Sequence, residues 1–494
     1  MNSKRRVLIN SFLYTASSML VKAFNFFLIP IYTVYLSTEQ YGIVNLINSF
    51  SGVVTYVVAF SLFSAVIRFY VVYKDDNLKL KSFLGTIFTF VFLSGLFFAL
   101  LGFLLRDYLI TWFFEGIGFF PILLIGFSTL VFVSLHTVHQ HLLRAMQKGK
   151  KLAIANIAVF VVQVILNLIF LVGLNMKAEG ILLASLIVNI LYFIYIIIDL
   201  TRQKLFKITL NFRLLAESLK YSIPIMPHDL STQIASFASK VVLKNNESVS
   251  EVGIYSLANQ FTSIIDLIQS TVNSAFQPWF FENMTHNNSE RTREIIDFSY
   301  VLLVLYSIMY LLIGLFSQEA VMIMAEGSYV KAWTVIPILI VGFSIKSIYY
   351  FHVNIMLFNK KASKVLFIAT ISGSIIDIIL AFLLVPYLGM YGSALAFGIA
   401  KIIVVVLVVI LSRRFDSLRY NIIKMLSIII PSLLFMAAGL FFSYTKYIYE
   451  FNWLNLSYKF VILFLYLLFV YLTNFKRINA AIIKFRQRKD RRKL

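Results

Sequence analysis

Fourteen long apolar runs, separated by short polar links, constrain this chain more than any other feature of its sequence. Each run is long enough for an α-helix to cross a bilayer, which takes about 20 residues. Strands that cross a bilayer are much shorter, and lipid-exposed loops would leave backbone groups unpaired, so we expect helices. The runs are 9–35, 42–71, 82–105, 118–143, 152–174, 178–199, 219–243, 252–281, 297–317, 332–357, 365–387, 391–411, 422–444 and 456–475.

The composition excludes a water-soluble globular protein. Hydrophobic residues make up 60% of the 494 positions and charged residues only 13%, whereas soluble domains average about 25% charged residues. The chain has no cysteine, which excludes a disulfide framework and a thiolate metal site.

The positive charges predict the orientation in the membrane. Of the 44 Lys and Arg residues, 33 lie in one set of links or in the termini and 6 in the alternate links. Because cytoplasmic links carry the excess of Lys and Arg, we expect both termini in the cytoplasm and an even number of spans. This distribution accounts for most of the net charge of +22 without nucleic acid as a partner.

The two halves of the chain resemble each other. EQYGIVNLIN (39–48) matches SEVGIYSLAN (250–259), and SAVIRFY (64–70) matches SAFQPWF (274–280), with offsets of about 210–214 residues. Parallel repeats of this kind place a substrate site between the halves. The predicted organisation is a first lobe with spans 1–6 (1–200), a cytoplasmic linker (201–218), a second lobe with spans 7–12 (219–415), spans 13 and 14 (416–475) and a basic cytoplasmic tail (476–494).

Polar residues recur every three or four positions in spans 1, 7 and 8, and therefore share one face of each helix. One such stripe is typical of interhelical hydrogen bonds. Three stripes in repeat-related spans favour a hydrated cavity that suits a ligand with many hydroxyls and some negative charge. The stripes contain Lys22 and Asn25 in span 1, Asp229, Gln233 and Lys240 in span 7, and Asn259, Asp266, Gln269 and Asn273 in span 8.

Each charge within a span also has a structural interpretation. Snorkelling to the interface and ligand contact are equally compatible with Arg68, and snorkelling is favoured for Lys240. A functional role is favoured for Asp266, which lies in the middle of its span. Asp199 is expected to be solvated at a span boundary. For Lys346, Asp377 and Lys401, buried pairing with one another is at least as good an interpretation as contact with a ligand.

The pair His228 and Asp229 follows two prolines, which predicts a hinge and, second to it, a group that accepts a proton in a coupling cycle. The three histidines of span 4 have poor spacing for a metal site, so we predict no metal and no cofactor. No nucleotide-binding or hydrolase motif is present, and no long external link offers room for an enzyme active site.

The segments YSIPIMPHDL, VGIYSLANQF and SAFQPWFFEN, with the 14-span plan, resemble the polysaccharide transporter family. This family comprises the repeat-unit flippases for O-antigen, capsule and exopolysaccharide within the MOP superfamily. The resemblance implies an all-α integral membrane protein with two six-helix lobes in a V-shaped, MATE-like arrangement and two extra C-terminal helices. It also implies an undecaprenyl-diphosphate-linked oligosaccharide as cargo in a bacterial inner membrane, and no enzymatic activity.

On this basis we expect Lys22 and Arg68 to hold a diphosphate or an acidic sugar. The coupling ion, H⁺ or Na⁺, and the oligomeric state stay open. The alternatives are a MATE-like ion-coupled multidrug exporter, a lipid II flippase and, from another class, a polysaccharide polymerase or ligase. The residues expected to bind sugar hydroxyls are Asn25, Asn259, Gln269 and Asn273, and the candidates for ion coupling are Asp229, His228 and Asp266.

Overall fold

The computed structural model describes residues 16–491 except 18, 22, 24, 286–288, 364 and 416–417. Side chains are described up to residue 473, except those of 289, 360 and 363. Every regular element in this part of the chain is a helix, which confirms the all-helical fold class. The chain divides into two compact units, residues 1–253 and 254–494.

The described part of the first unit contains ten α-helices and the start of an eleventh. Its core lies where α3, α4, α6 and α8 meet, around Leu62, Phe83, Leu135 and Tyr192. The helices are α1 Ile29–Tyr35, α2 Thr38–Ala59, α3 Leu62–Tyr73, α4 Asn77–Leu104, α5 Arg106–Leu109, α6 Leu124–Ala145, α7 Gly149–Asn167, α8 Lys177–Arg202, α9 Phe212–Ser222 and α10 Met226–Asn246. Single π-helical turns cover Ile110–Phe114, Phe119–Leu123 and Leu168–Gly173.

The second unit packs along two main helix pairs, α14 with α16 and α12 with α17. The C-terminal helix α19 packs on both α12 and α17. The helices are α11 Val249–Met284, α12 Ser289–Leu315, α13 Ser317–Met324, α14 Ile336–Phe358, α15 Lys360–Ser363, α16 Leu366–Phe415, α17 Ile422–Gly439, α18 Phe441–Thr445 and α19 Trp453–Arg491, and a 3₁₀ helix covers Gly327–Thr334.

Predicted span 2 is two helices rather than one. The Ser37 side chain accepts a hydrogen bond from the Gln40 amide, and the Gln40 side chain accepts one from the Ser37 amide, so a capping box starts α2. The helix ends at Phe60 and Ser61, which have φ of 46° and 50°. Two successive non-glycine residues in the left-handed region are costly, and they turn the chain between α2 and α3.

Ten helices of the described part are long and apolar enough to cross a membrane, so the chain is a multi-pass membrane protein. One of them, α16, covers predicted spans 11 and 12 and turns at Gly389, where φ is 53°. Predicted span 7 begins later, at Met226, because α9 ends at Ser222 and a turn with Pro224 follows. Helices α10 and α11 are not among the ten, since polar side chains interrupt their apolar sequence. The count of fourteen spans stays a prediction.

The two compact units do not divide where the predicted lobes do. The second lobe is predicted to begin at residue 219, yet α10 packs on α2 and lies in the first unit. The predicted lobe boundaries therefore stay a prediction about the sequence repeat. The C-terminal segment from 476 onward is predicted as a separate tail, and the backbone of α19 continues through it to Arg491.

A buried ion pair holds the last helix in the second unit. Lys459 of α19 has no exposed surface, and its Nζ donates to Glu319 Oε1 at 2.6 Å and to Gln318 Oε1 at 3.0 Å. The prediction that Lys459 is one of the six Lys and Arg residues in the alternate links is wrong, because it lies within α19. Because a buried charge without a partner is expensive, the two charges depend on each other.

We expect Glu319→Ala to lower the free energy of unfolding by about 3–5 kcal/mol, because it leaves the Lys459 ammonium buried without a counter-charge. The measurement is thermal unfolding of the purified chain in detergent. The exposed pair between Arg293 and Asp297 provides the control, and Asp297→Ala should cost less than about 1 kcal/mol. Equal losses in the two variants would contradict this account of the pair.

Candidate functional site

A polar seam joins α2 and α10 within the first unit. We call it the α2–α10 seam and define it by its two rows of residues. The positions pair in antiparallel order, so that higher numbers on α2 face lower numbers on α10. The seam consists of Asn45, Ser49, Gly52 and Tyr56 on α2 and Asp229, Gln233, Ser236 and Lys240 on α10.

Lys240 forms one end of the seam. Its Nζ donates to Ser49 Oγ at 2.6 Å and lies 3.4 Å from the Asn45 carbonyl oxygen. The side chain therefore points at α2 and does not snorkel toward the interface, which corrects the favoured interpretation of the sequence. Lys240 takes part in none of the ion pairs found among the described residues.

The middle of the seam depends on the absence of a side chain. A Cβ placed at Gly52 would lie 3.0 Å from Gln233 Oε1, so the glycine gives the amide room against α2. On the neighbouring face, the Phe50 ring packs on Phe237 and Phe114, with ring centroids 5.5 and 5.3 Å apart. These rings form an aromatic cluster beside the polar seam.

Asp229 forms the opposite end. It lies beside Tyr56 and next to Ser61, at the break between α2 and α3. Its Oδ2 is buried and accepts no hydrogen bond within the described part of the chain. Asp229 and Lys240 are eleven residues apart on one helix, which is about 16 Å along the axis. The two charges therefore do not neutralise each other, and the seam has one anionic end and one cationic end.

A reciprocal glycine contact joins the start of α2 to the start of α11, within the first unit. A Cβ at Gly42 would lie 2.0 Å from the Val249 carbonyl oxygen, and a Cβ at Gly253 would lie 1.9 Å from the Thr38 carbonyl oxygen. The two glycines are equivalent in the sequence repeat, and each packs on the residue four positions before the other. Small residues permit this close approach of helix backbones.

The same contact includes a short hydrogen bond. Thr38 Oγ1 and Ser250 Oγ are 2.6 Å apart, on the two helices that the glycines bring together. We call this group of Thr38, Gly42, Val249, Ser250 and Gly253 the glycine contact. The equivalent positions of Gly42 and Gly253 in the aligned repeats are the signal in the sequence that could have indicated this contact.

The second unit pairs the charges that the sequence left unassigned. Lys346 Nζ donates to Asp266 Oδ1 at 2.5 Å, and the Tyr350 hydroxyl donates to the same oxygen at 3.3 Å. Lys401 and Asp377 interact electrostatically nearby. Pairing was expected among three of these residues, and Asp266 joins them as the fourth. The group contains two positive and two negative charges.

The amides of α11 take part mainly in helix packing. Gln269 has no exposed surface, and its Nε2 donates to the Tyr310 hydroxyl at 2.6 Å and to the Phe343 carbonyl oxygen at 3.0 Å. Asn273 Oδ1 accepts from Asn354 Nδ2 at 2.8 Å. Asn259 is half-buried and donates to the Tyr255 carbonyl oxygen of its own helix. Their predicted role in sugar binding stays a prediction, and Gln269 is the member with no accessible surface.

Three other predicted site residues, Arg68, Asn25 and His228, do not belong to the α2–α10 seam. Arg68 is exposed in the middle of α3, and its guanidinium stacks on the Tyr221 ring at 4.5 Å. Asn25 is half-buried, and His228 lies in the first turn of α10. Lys22 lies outside the described residues. The structure thus places Asp229 and Lys240 at opposite ends of the α2–α10 seam, whereas Arg68 belongs to the contact between α3 and α9.

Asp199 was expected to be solvated at a span boundary. In the structure it is buried between α6, α7 and α8. It pairs with Lys151, accepts from Gln203 Nε2 at 2.8 Å and lies 3.1 Å from His139 Nε2. His136 contacts Asn189 Oδ1 at 3.1 Å. No group of residues suited to a metal ion occurs in the described part of the chain.

Comparison with solved structures supports the fold. The lipid II flippase MurJ, in an inward closed conformation, matches with a TM-score of 0.68 at 18% identity, over 96% of this chain and 99% of that chain. A multidrug resistance MATE family transporter of the MOP superfamily, in an inward-facing conformation, matches at 0.62 and 15% identity, over 80% and 94%. A MOP superfamily transporter from Pyrococcus furiosus matches at 0.60 and 15% identity, over 84% and 96%.

The sequence comparison identifies the family. No curated protein sequence matches the chain. The profile of the family described as polysaccharide biosynthesis protein matches residues 7–284, which is more than half of the chain. This protein, with a fold like those of MOP superfamily transporters, therefore belongs to the polysaccharide biosynthesis protein family.

Proposed function

We propose that this chain is an alternating-access flippase that moves undecaprenyl-diphosphate-linked oligosaccharide repeat units across the bacterial inner membrane. The cargo would serve O-antigen, capsule or exopolysaccharide synthesis. The family and the MOP-type fold support a transporter without chemistry of its own. The observation that carries the choice of cargo is Lys240, a cation inside the first unit that contacts only neutral groups among its described partners.

The chemistry of the seam fits a headgroup with phosphates and hydroxyls. An ammonium group binds a phosphate as a point charge. The hydroxyl of Ser49 and the amide of Gln233 supply both donors and acceptors to sugar hydroxyls. Ser236 and Thr232 on α10 are exposed, which suits a polar ligand beside the seam. Lys22 and Arg68 remain the other cations proposed for the headgroup.

The balance of charge disfavours the drug-exporter alternative. A carrier of cationic drugs needs a site dominated by carboxylates, and the seam has one carboxylate and one ammonium, at opposite ends. The lipid II flippase alternative has the same headgroup chemistry, because its cargo is also a polyprenyl diphosphate. We therefore propose the repeat-unit substrate on the family match and treat lipid II as the competing outcome of the test.

We further propose that the glycine contact is the closed extracytoplasmic gate. The distribution of Lys and Arg predicts that span 2 and span 8 both start on the outer side. The reciprocal contact holds these two outer ends together, through backbone atoms that leave no space for a ligand between them. Release of the headgroup to the outside then requires Gly42 and Gly253 to separate.

Deletion of the gene in the native host tests the cargo. We expect loss of surface polysaccharide and accumulation of polyprenyl-diphosphate-linked oligosaccharide, with growth and drug susceptibility unchanged. Plasmid-borne wild-type chain should restore the polysaccharide. Arrested growth with accumulated lipid II would identify the lipid II flippase, and hypersensitivity to cationic drugs with normal polysaccharide would identify the exporter. Either result would overturn the proposed cargo.

A further inference from the structure

A long apolar groove runs between α7 and α8, entirely within the first unit, and none of its lining residues belongs to the α2–α10 seam. Its volume is about 690 Å³. Its lining includes Ala155 and Ala158 of α7 and Val188 and Tyr192 of α8. Ile154 and Leu191 on its walls are exposed, as expected of a surface that faces lipid.

The groove is long enough to hold the acyl chain of a lipid. The lining of α7 extends from Gly149 to Val162, which is about 20 Å along the helix axis. Half of a bilayer's hydrocarbon core is about 15 Å thick. With its lysine end at a membrane surface, a groove of this length would reach past the depth of one leaflet.

One end of the groove is cationic. Lys148, Lys150 and Lys151 line it, and no carboxylate does so among the described lining residues. Lys151 pairs with the buried Asp199, Lys148 donates to Gln203 Oε1 at 2.5 Å, and Lys150 is exposed. Partial burial lowers the pKa of the Lys148 ammonium, and an anion at this point would favour its charged form.

We propose that this groove binds an anionic phospholipid of the cytoplasmic leaflet, with its phosphate at Lys148 and Lys150 and an acyl chain between α7 and α8. The link from 144 to 151 belongs to the basic set that predicts the cytoplasmic side, where anionic lipids attract Lys and Arg. The glycan cargo fits this groove poorly. Apart from the lysines, its described polar side chains are Gln147 and two tyrosines, which is too few for a set of sugar hydroxyls.

Native mass spectrometry of the purified full chain tests the proposal by titration with three lipids. The lipids are phosphatidylglycerol, phosphatidylcholine with the same acyl chains, and undecaprenyl phosphate. We expect the wild-type chain to bind phosphatidylglycerol at least about 10-fold more tightly than phosphatidylcholine. Each lysine near a membrane surface contributes roughly 5-fold, so the Lys148→Gln/Lys150→Gln variant should bind phosphatidylglycerol roughly 30-fold more weakly.

Two further variants separate the groove from general surface charge. Ala158→Trp fills the groove and should reduce binding of phosphatidylglycerol with every lysine in place. The Lys79→Gln/Lys81→Gln variant removes two cations from another link on the same predicted side and should bind like the wild type. Lys151 is left unchanged because it neutralises the buried Asp199. Thermal unfolding verifies that each variant is folded.

Three results would overturn the proposal. The first is equal affinity of the wild-type chain for phosphatidylglycerol and phosphatidylcholine. The second is unchanged binding of phosphatidylglycerol by the folded Lys148→Gln/Lys150→Gln variant. The third is tighter binding of undecaprenyl phosphate that the same substitutions abolish, which would assign the groove to the polyprenyl lipid. None of these results bears on the α2–α10 seam, so the proposed function is tested separately.

Discussion

Oxidation of a Thr38→Cys/Ser250→Cys variant should abolish transport, and reduction should restore it. The two hydroxyl oxygens are 2.6 Å apart, so cysteines at these positions approach the geometry of a disulfide. The natural chain has no cysteine, and only the introduced pair can react. If the glycine contact is the extracytoplasmic gate, a covalent bond across it holds the gate closed, and surface polysaccharide should fall to the level of the deletion strain.

The two single variants at Thr38 and Ser250 supply the matched control. Each carries one cysteine and cannot close an intramolecular disulfide, so both should transport normally under the same oxidising conditions. Full transport by a Thr38–Ser250 pair that mass spectrometry shows to be completely cross-linked would contradict the gate.

Replacing Lys240 by alanine should reduce transport roughly 10- to 100-fold at a normal protein level. The reason is loss of a charge-assisted contact with the diphosphate, which contributes about 1.5–3 kcal/mol. Lys240→Arg keeps the positive charge and should retain most of the activity. The measurement is export of lipid-linked oligosaccharide in the complemented deletion strain, with membrane protein quantified in parallel.

Ser49→Ala is the control for the local structure around Lys240. It removes the hydroxyl that accepts from Nζ and keeps the ammonium, so transport should fall by no more than a few-fold. A loss as large as that of Lys240→Ala would indicate that the hydrogen bond, and not the charge, is what transport requires. Normal transport by Lys240→Ala would remove this residue from the proposed headgroup site.

The helical fold could be predicted because hydrocarbon imposes it. Apolar runs long enough to span a bilayer allow little besides helices, and the structure follows them closely where they are uniform. Polar helices are harder to delimit. The starts of α10 and α3 depend on local backbone turns at 223–225 and at Phe60 and Ser61, and no strong turn motif marks Phe60 and Ser61.

The interior charges could be found in the sequence, but their partners could not. Helical spacing places Asp266 and Lys240 on polar stripes, yet it does not reveal which neighbouring helix each one faces. Asp266 meets Lys346, eighty residues further along the chain, and Lys240 meets a hydroxyl of α2. Asp199 was expected to be solvated because it lies near a span end, whereas three side chains from neighbouring turns and helices enclose it.

The glycine contact shows a different limit of prediction from sequence. The alignment of the repeats places Gly42 opposite Gly253, which indicates an equivalent role for the two residues. It does not show that the two copies touch each other, because that depends on how the helices pack. Only the positions of the two backbones show that a single methyl group on either residue would meet a carbonyl oxygen.

The Lys459–Glu319 pair limits how this chain can be shortened. MATE transporters match about four-fifths of its length, so part of this chain has no counterpart in them. Here the last helix contributes the ammonium that neutralises a carboxylate of the body. Truncation before Trp453 would strand that carboxylate in an apolar setting. A minimal version of the protein therefore needs Glu319 replaced by an apolar residue in the same step.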